Sequence, residues 1–357
     1  MTFIDFFKNF YEKGYKKFLL LPIILFLAIG FLIFIYPTVP AGIDLKGGTL
    51  LLIKTEKQLD SAKIESIISQ NFSLSDFTVT VTSSPAGNSA LIQFASNKDF
   101  ETAESSLKQA KQLIESNPEQ SIQLSQSAVS SLSSYVKEES LPSDALQAFE
   151  LATESLDKSK SIFHSRIQEK ISSEFGLGEN VAFQLREIGP TIGPIFWQNA
   201  LFVTIAGMIM IVIIIFLFFR EIVPSLAVIE AALFDIGTAL ALMAVFQIPL
   251  SLSTIPALLM LVGYSIDTDI LLTTRILKRR DKTPSERAAE SMITGLTMTG
   301  TTIAAVTVML VFSYFTQIVV MFEISVVLLF GLIGDLISTW FLNAPILLWY
   351  VEKKKKS

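Results

Sequence analysis

Cysteine is absent from the 357 residues and histidine occurs once, at His164. Disulfide frameworks, thiolate metal sites and cysteine nucleophiles are thereby excluded, and a histidine-dependent triad has only one residue to be built on. Charge is also scarce, at 17% of residues against roughly 25% in soluble domains. There is no phosphate-binding loop, no metal-ligand cluster and no nucleophile–base pair. The Gly47-Gly48 and Gly189-Pro190 pairs, and Gly193-Pro194, are turn chemistry. An enzyme is not expected, and neither a cofactor, a metal nor a nucleic-acid partner is implied.

Apolar sequence is abundant instead. Hydrophobic residues make up 51% of the chain and phenylalanine occurs 28 times. Six segments are long and apolar enough to cross a bilayer, which takes about 20 residues: Phe18–Tyr36, Phe196–Phe219, Pro224–Phe246, Leu252–Thr274, Gly295–Phe315 and Ser325–Val351. Basic residues set the orientation. Lys8, Lys13, Lys16 and Lys17 precede the first span, Arg220 follows the second, a cluster from Arg275 to Arg287 follows the fourth, and Lys353–Lys356 follow the sixth. With six crossings all four clusters fall on one side. The expected organisation is a cytoplasmic N-terminus (1–17), a first transmembrane helix (18–36), an extracytoplasmic domain (37–195), a five-helix transmembrane region (196–351) and a basic cytoplasmic tail (352–357). The first span exceeds the 7–15-residue core of a signal peptide and no A-x-A site follows, so it reads as a retained anchor in a multi-pass protein of the cell membrane. The terminal lysines read as an anchor touching anionic lipid.

Residues 37–195 hold 20 acidic and 13 basic residues, so the acidity of the chain belongs to this domain. Gly48–Lys54, Phe77–Thr82, Ala90–Ala95 and Val181–Glu187 alternate as strands, Gln58–Gln70 reads as a helix, and Pro85-Ala86-Gly87-Asn88 reads as a turn. The order β-α-β-β-α-β predicts an α+β ferredoxin-like fold. Residues 98–160 are too long for one crossover helix. They read as two or three amphipathic helices inserted there and broken at Asn117-Pro118 and Leu141-Pro142, with a Ser/Gln-rich disordered segment as the alternative. Asn71-Phe72-Ser73 matches a glycosylation sequon.

An Asp at mid-span costs about 2.5–3.5 kcal/mol on insertion scales, so each one needs a reason. Glu230 and Asp235 lie in the third span, Asp267 and Asp269 in the fourth, and Asp335 in the sixth. Two readings are open: carboxylates that take up a proton or hold a cation, or satisfied interhelical hydrogen bonds that set register. Glu230 is near enough to the interface to snorkel. Asp267 and Asp269 are two apart and face different sides of a helix. Thr294, Thr297, Thr299, Thr301, Thr302 and Thr307, with Gly295 and Gly300, predict a tightly packed, inward-facing fifth span. Gly331 and Gly334 predict close packing of the sixth.

Three motifs, in their order and position relative to the spans, carry a resemblance. Gly42-Ile43-Asp44-Leu45-Lys46-Gly47-Gly48-Thr49 follows the first span, Ile188-Gly189-Pro190-Thr191-Ile192-Gly193 precedes the second, and Gly263-Tyr264-Ser265-Ile266-Asp267-Thr268-Asp269 with Arg275 lies in the fourth. The chain resembles the SecD/SecF family of protein-export membrane subunits, within the resistance–nodulation–division superfamily. Bacterial members read G-Y-S-x-N-D in the fourth span, and the Asp implicated in proton coupling aligns here with Thr268. The D-T-D form looks like archaeal members. Bacterial members also carry an Arg early in the fifth span, where Ile293–Ile303 has no basic residue. The resemblance implies a non-enzymatic subunit that acts with a SecD-type partner beside a SecY-type channel, on exported polypeptide chains and among membrane lipids. It implies ion coupling through Asp267, Asp269, Asp235 or Asp335. Two competing readings remain: an ion-coupled small-molecule or lipid exporter of the same superfamily, and an outer-domain binding protein with passive spans.

Overall fold

The computed structural model describes residues 11–12, 14–15, 21–72, 74, 77–85, 87–95, 97–137, 140–178, 181–188, 192–279 and 281–356. Two compact units divide the chain: 46–195, and a helical unit made of 1–45 with 196–357. Helix α1, Leu21–Phe34, belongs to the helical unit. Phe18, Leu19 and Leu20, the start of the expected first span, lie outside the described residues.

In unit 46–195, strand β1 (Gly48–Thr55), helix α2 (Ser61–Asn71), β2 (Phe77–Ser84) and β3 (Gly87–Phe94) come first. Helices α3 (Lys98–Leu113), α4 (Pro118–Ser131) and α5 (Ala145–Phe175) follow, and β4 (Ala182–Ile188) closes the sheet. The sheet order is β2-β3-β1-β4 and every pairing is antiparallel. The hairpin is tighter than the sequence predicts: Ser84 pairs with Gly87, so Gly87 and Asn88 belong to β3. Ala86 and Ser73, the third sequon residue, lie outside the described residues.

Caps decide where the helices start. Asp60, Asn97, Asn117 and Asp144 each accept a backbone N–H of the following first turn. The Asn117-Pro118 break is thus the cap and first residue of α4 rather than a bare interruption. Gly176, in the left-handed region, ends α5. One face of the sheet, with Leu51, Ile53, Ile92 and Phe94, packs on Ile64 and Ile68 of α2 and on Phe163 and Ile167 of α5. Phe163 is ringed edge-on by Phe72, Phe94, Phe100 and Tyr135. Lys160 of α5 lies 2.6 Å from both Glu104 of α3 and Glu187 of β4. At Gly48 (φ +144°) a Cβ would sit 2.5 Å from the Phe94 carbonyl oxygen, so the first residue of the sheet has to be glycine.

The helical unit continues with α6 (Ile192–Phe219), α7 (Ile222–Phe246), α8 (Thr254–Lys278), α9 (Pro284–Thr316) and α10 (Val319–Ile337). A π-helical turn, Ser338–Asn343, joins α10 to α11 (Ala344–Lys356). Among the described residues five helical segments are long and apolar enough to cross a membrane: α6, α7, α8, α9 and the α10–α11 run; α1 is a shorter apolar helix. Two boundaries depart from the sequence reading. Helix α9 starts eleven residues before Gly295 because Thr283 and Glu286 form a capping box with Pro284 in the first turn. Helix α10 starts at Val319, six residues before Ser325, after a two-residue link that puts Glu323 inside a helix. The charged residues in these turns hide both starts from a hydropathy reading.

Helix α7 is central, packed against α1, α8 and α10. The ring of Phe26 meets Phe234 edge-on at 5.5 Å. Helix α6 touches the bundle mainly through its last turns, where Ile215 and Phe219 meet Val228. The rest of α6 is exposed and apolar, Phe202 and Leu217 among it, a surface suited to lipid.

Candidate functional site: a buried carboxylate cluster

Asp235 of α7, Asp269 of α8 and Asp335 of α10 are fully buried in one connected network of hydroxyl and amide donors. Helix spacing explains part of it. Ser265 and Asp269 are four apart on α8 and so share a face. The Ser265 hydroxyl donates to Asp235 Oδ2, while Asp269 faces the α10–α11 run. The π turn supplies the rest. Ser338 Oγ donates to Asp235 Oδ1 at 2.6 Å, Thr339 Oγ1 lies 3.1 Å from both Asp269 Oδ1 and Asp335 Oδ1, and Asn343 Nδ2 donates to Asp269 Oδ1 at 2.7 Å. Thr299 of α9 donates to Asp335 Oδ2 at 3.0 Å. A π turn widens the helix by one residue, and such turns are common at functional sites. Here it lets 338, 339 and 343 reach acids on three helices.

Proton bookkeeping gives the chemistry. The donors to these carboxyls, among the described residues, are serine, threonine and asparagine, with no lysine or arginine. A hydroxyl has one proton to give, yet Thr339 contacts two carboxyl oxygens. Both contacts are full hydrogen bonds only when one of the two carboxyls is itself protonated and donates to Thr339. Asp269 Oδ2 and, one turn on, Thr273 Oγ1 are buried without a hydrogen-bond partner among the described residues, as is Asn343 Oδ1. Among the described residues no group of three His, Asp or Glu side chains is placed to hold a metal ion.

The helices approach closely enough to seal this network. A Cβ on Gly331 would overlap the Leu261 side chain, one on Gly295 would overlap the Trp340 ring, and one on Gly334 would sit 3.2 Å from Asp235 Cα. From Gly295 onward, α9 buries a single stripe, Gly295, Thr299, Val306 and Ser313. Of its other threonines, Thr297, Thr301 and Thr307 are exposed and Thr294 and Thr302 half-buried, while Gly300 meets open space. A helix has only one face to bury, and the threonines are too closely spaced to share it.

Of the acids singled out by sequence, Asp235, Asp269 and Asp335 come together, while Asp267 is exposed on the other side of α8, beside exposed Gly263 and Tyr264. Glu230 is half-buried on α7, outside the network. Thr268 is buried against the Gly295 backbone. Arg275 Nη1 donates to Thr294 Oγ1 at 3.0 Å, joining α8 to α9. Gly42 and Asp44 bind the link between α7 and α8, and Gly47 (φ +80°) with Gly48 turns the chain into β1. Gly189 and Pro190 lie outside the described residues, and Gly193 is in the first turn of α6. Ser338, Thr339 and Asn343 escaped the sequence reading. Their signal was a polar S-T-x-x-x-N run inside an apolar span, three residues past Asp335 at its nearest.

Comparison with known proteins agrees with this architecture. The family model described as "Protein export membrane protein SecD/SecF, C-terminal" matches residues 168–353. Protein-export membrane protein SecF of Methanolacinia petrolearia is 44% identical over 170 residues, covering 48% of this chain and 60% of that one. The SecF of Methanocaldococcus jannaschii is 41% identical over 191 residues, covering 52% and 68%. That of Methanothermobacter thermautotrophicus is 49% identical over 140 residues, covering 39% and 49%. These matches span about half to two thirds of the relatives' length. A Thermus SecDF crystal structure, described as a translocon-associated membrane protein, superposes with a TM-score of 0.60 at 16% identity, covering 99% of this chain and 40% of that one. SecDF in its super-membrane-facing form gives 0.52 at 17% identity, covering 98% and 39%. Those two likenesses concern the fold alone. The family match over more than half the chain, on a multi-pass helical fold, places the chain in the SecD/SecF family of protein-export membrane proteins.

Proposed function

We propose that this chain is a SecF-like accessory subunit of protein export that works with a SecD-type partner beside a SecY-type channel, and that proton exchange at Asp235, Asp269 and Asp335 drives it. The observation that carries the proton step is the single Thr339 hydroxyl shared by two buried carboxyls that have no cationic partner among the described residues. The similarity to SecF proteins favours export over small-molecule or lipid extrusion. The partner reading is supported by Asp267. An exposed carboxylate inside a span costs about 2.5–3.5 kcal/mol against lipid, and a polar group on a neighbouring helix bundle removes that cost. The chain then crosses six times, the first at 18–36, giving twelve spans with the partner. Both termini are cytoplasmic, and 37–195 is an extracytoplasmic ferredoxin-like domain carrying 98–160 as a helical insertion. The β2-β3-β1-β4 antiparallel order supports that fold.

Export through the purified channel in sealed vesicles, with and without a proton gradient, tests the reading. Asp269→Asn is expected to abolish the response to the gradient while leaving partner association intact, and Asp267→Leu to weaken association instead. Gradient-stimulated export by Asp269→Asn at the parent rate would refute the proton step. A cysteine placed at Ser131, in a chain with none of its own, is expected to react with an impermeant reagent from outside the cell.

A further inference from the structure

The family motif after α1 has a structural partner at the far end of the bundle's helices. Leu250, in the link between α7 and α8, donates its N–H to the Pro40 carbonyl at 2.8 Å and accepts the Gly42 N–H at 2.8 Å. Ala41 and Leu250 form an isolated parallel bridge. A Cβ on Gly42 would lie 3.0 Å from the Leu250 oxygen, so that position is held to glycine by this contact. Asp44 is 5% exposed, and its Oδ2 accepts the Leu252 N–H at 3.3 Å. The same link is tied to a second helix. Ser251 Oγ donates to Glu323 Oε2 of α10 at 2.8 Å, and Ser253 Oγ donates to the same oxygen. Ser251 N donates to Thr254 Oγ1 at 2.7 Å, closing the first turn of α8.

These contacts join the segment 40–44 to the first turns of α8 and α10, the two helices that carry Asp269 and Asp335. Asp269 is fifteen residues beyond Thr254, and Asp335 twelve beyond Glu323. At about 1.5 Å per residue the acids lie roughly 18–23 Å from the clip along stiff helices. On its other side Asp44 is four residues from Gly48, where β1 begins. Hydrogen-bonded rigid elements of this kind carry displacement between distant sites.

We propose that Gly42, Asp44 and Glu323 are positioning residues of a clip that passes movement of α8 and α10 to the first strand of the outer unit. Loading and unloading the carboxyl cluster shifts the two helices, and the clip, staying closed, hands that shift to the chain leading into β1. The inference rests on the proton-driven export reading and adds the residues that connect its two halves.

The test uses the full chain with its partner and the channel in sealed vesicles, reading export rate and, with a pH dye in the lumen, proton uptake. A disulfide spans Cα atoms about 4.4–6.8 Å apart, and backbones paired as Ala41 and Leu250 are lie about 4.7–4.9 Å apart. The absence of native cysteine means that only one disulfide can form in Ala41→Cys/Leu250→Cys. The oxidised variant is expected to export within twofold of its reduced form, because the clip never opens. Export stopped by oxidation and restored by reductant would overturn the proposal. Asp44→Ala is expected to lower export at least tenfold with proton uptake and partner association unchanged, and Asp44→Asn, which keeps an acceptor for Leu252, to recover most of it. Equal loss of export, uptake and association in Asp44→Ala, or no loss of export, would also overturn it. A parent preparation whose export ignores the gradient sinks the export reading itself, and the clip with it.

Discussion

Replacing Thr339 with valine removes one hydroxyl from the carboxyl network and changes little in shape. Thr339 is fully buried, so no water stands by to take over its hydrogen bonds. Asp269 Oδ1 keeps Asn343 Nδ2 at 2.7 Å, and Asp335 Oδ2 keeps Thr299 at 3.0 Å, but Asp335 Oδ1 loses the threonine contact. Leaving a buried acceptor unpaired costs about 1–3 kcal/mol, and more when it is charged. At about 1.4 kcal/mol per tenfold, gradient-driven export is expected to fall by roughly 5- to 150-fold if the ionised pair is visited in the limiting step. The bundle itself is expected to survive, because Thr339→Val keeps the volume and the helical turn. The assay is export by the vesicle-reconstituted protein at a fixed proton gradient, with Thr307→Val as the control, since Thr307 is exposed on α9. Thr339→Ser, which restores the hydroxyl, should regain most of the loss. A valine variant that exports at the parent rate with the same dependence on the gradient would refute the shared-proton argument.

Packing and titration give three more expectations. Gly331→Val should drive its side chain into buried Leu261 and lower the thermal midpoint, by about 1–3 kcal/mol of stability or more, whereas Gly300→Val, facing open space, should leave it nearly unchanged; tryptophan fluorescence during heating distinguishes the two. Burial holds His164 below its ordinary value of 6.5, and nearby Lys160 adds to this while Glu187 opposes it. Its neutral form therefore stabilises the folded unit 46–195 fully above about pH 6.5, and that contribution is lost as pH falls through the lowered value; hydrogen exchange along α5 should accelerate with acid in the parent and less so in His164→Gln. Lys160→Met should strand Glu104 and Glu187 facing each other and destabilise the same unit by roughly 1–3 kcal/mol, and adding Glu104→Gln and Glu187→Gln should return most of that; urea titration followed by proteolysis at α5 would show otherwise if the single variant matched the parent.

Local chemistry wrote much of this protein in readable form. Apolar runs and alternating strands depend on neighbours a few residues away, so a one-dimensional reading finds them. The buried acids were equally visible, because an Asp inside an apolar run is costly wherever it lands. What they face was not visible. The choice between Asp267 and Asp269 as the inward residue depends on how α8 is rotated against α10, and that rotation is fixed by fits such as Leu261 over Gly331. The threonine-rich α9 misled for the same reason: which of its positions are buried depends on the shape of α8 and α10. The capping box at Thr283 placed a helix start inside charged sequence that hydropathy assigns to a loop. Ser338, Thr339 and Asn343 reach the carboxyls only because the helix passes through a π turn there, and a shift of register by one residue leaves no mark in composition or periodicity. The sequence alone determined the helices, the strands and the charges in the membrane. Tertiary packing decided which charges meet, because hydrogen bonds to a shared hydroxyl require positions fixed to a fraction of an ångström by residues more than sixty places apart.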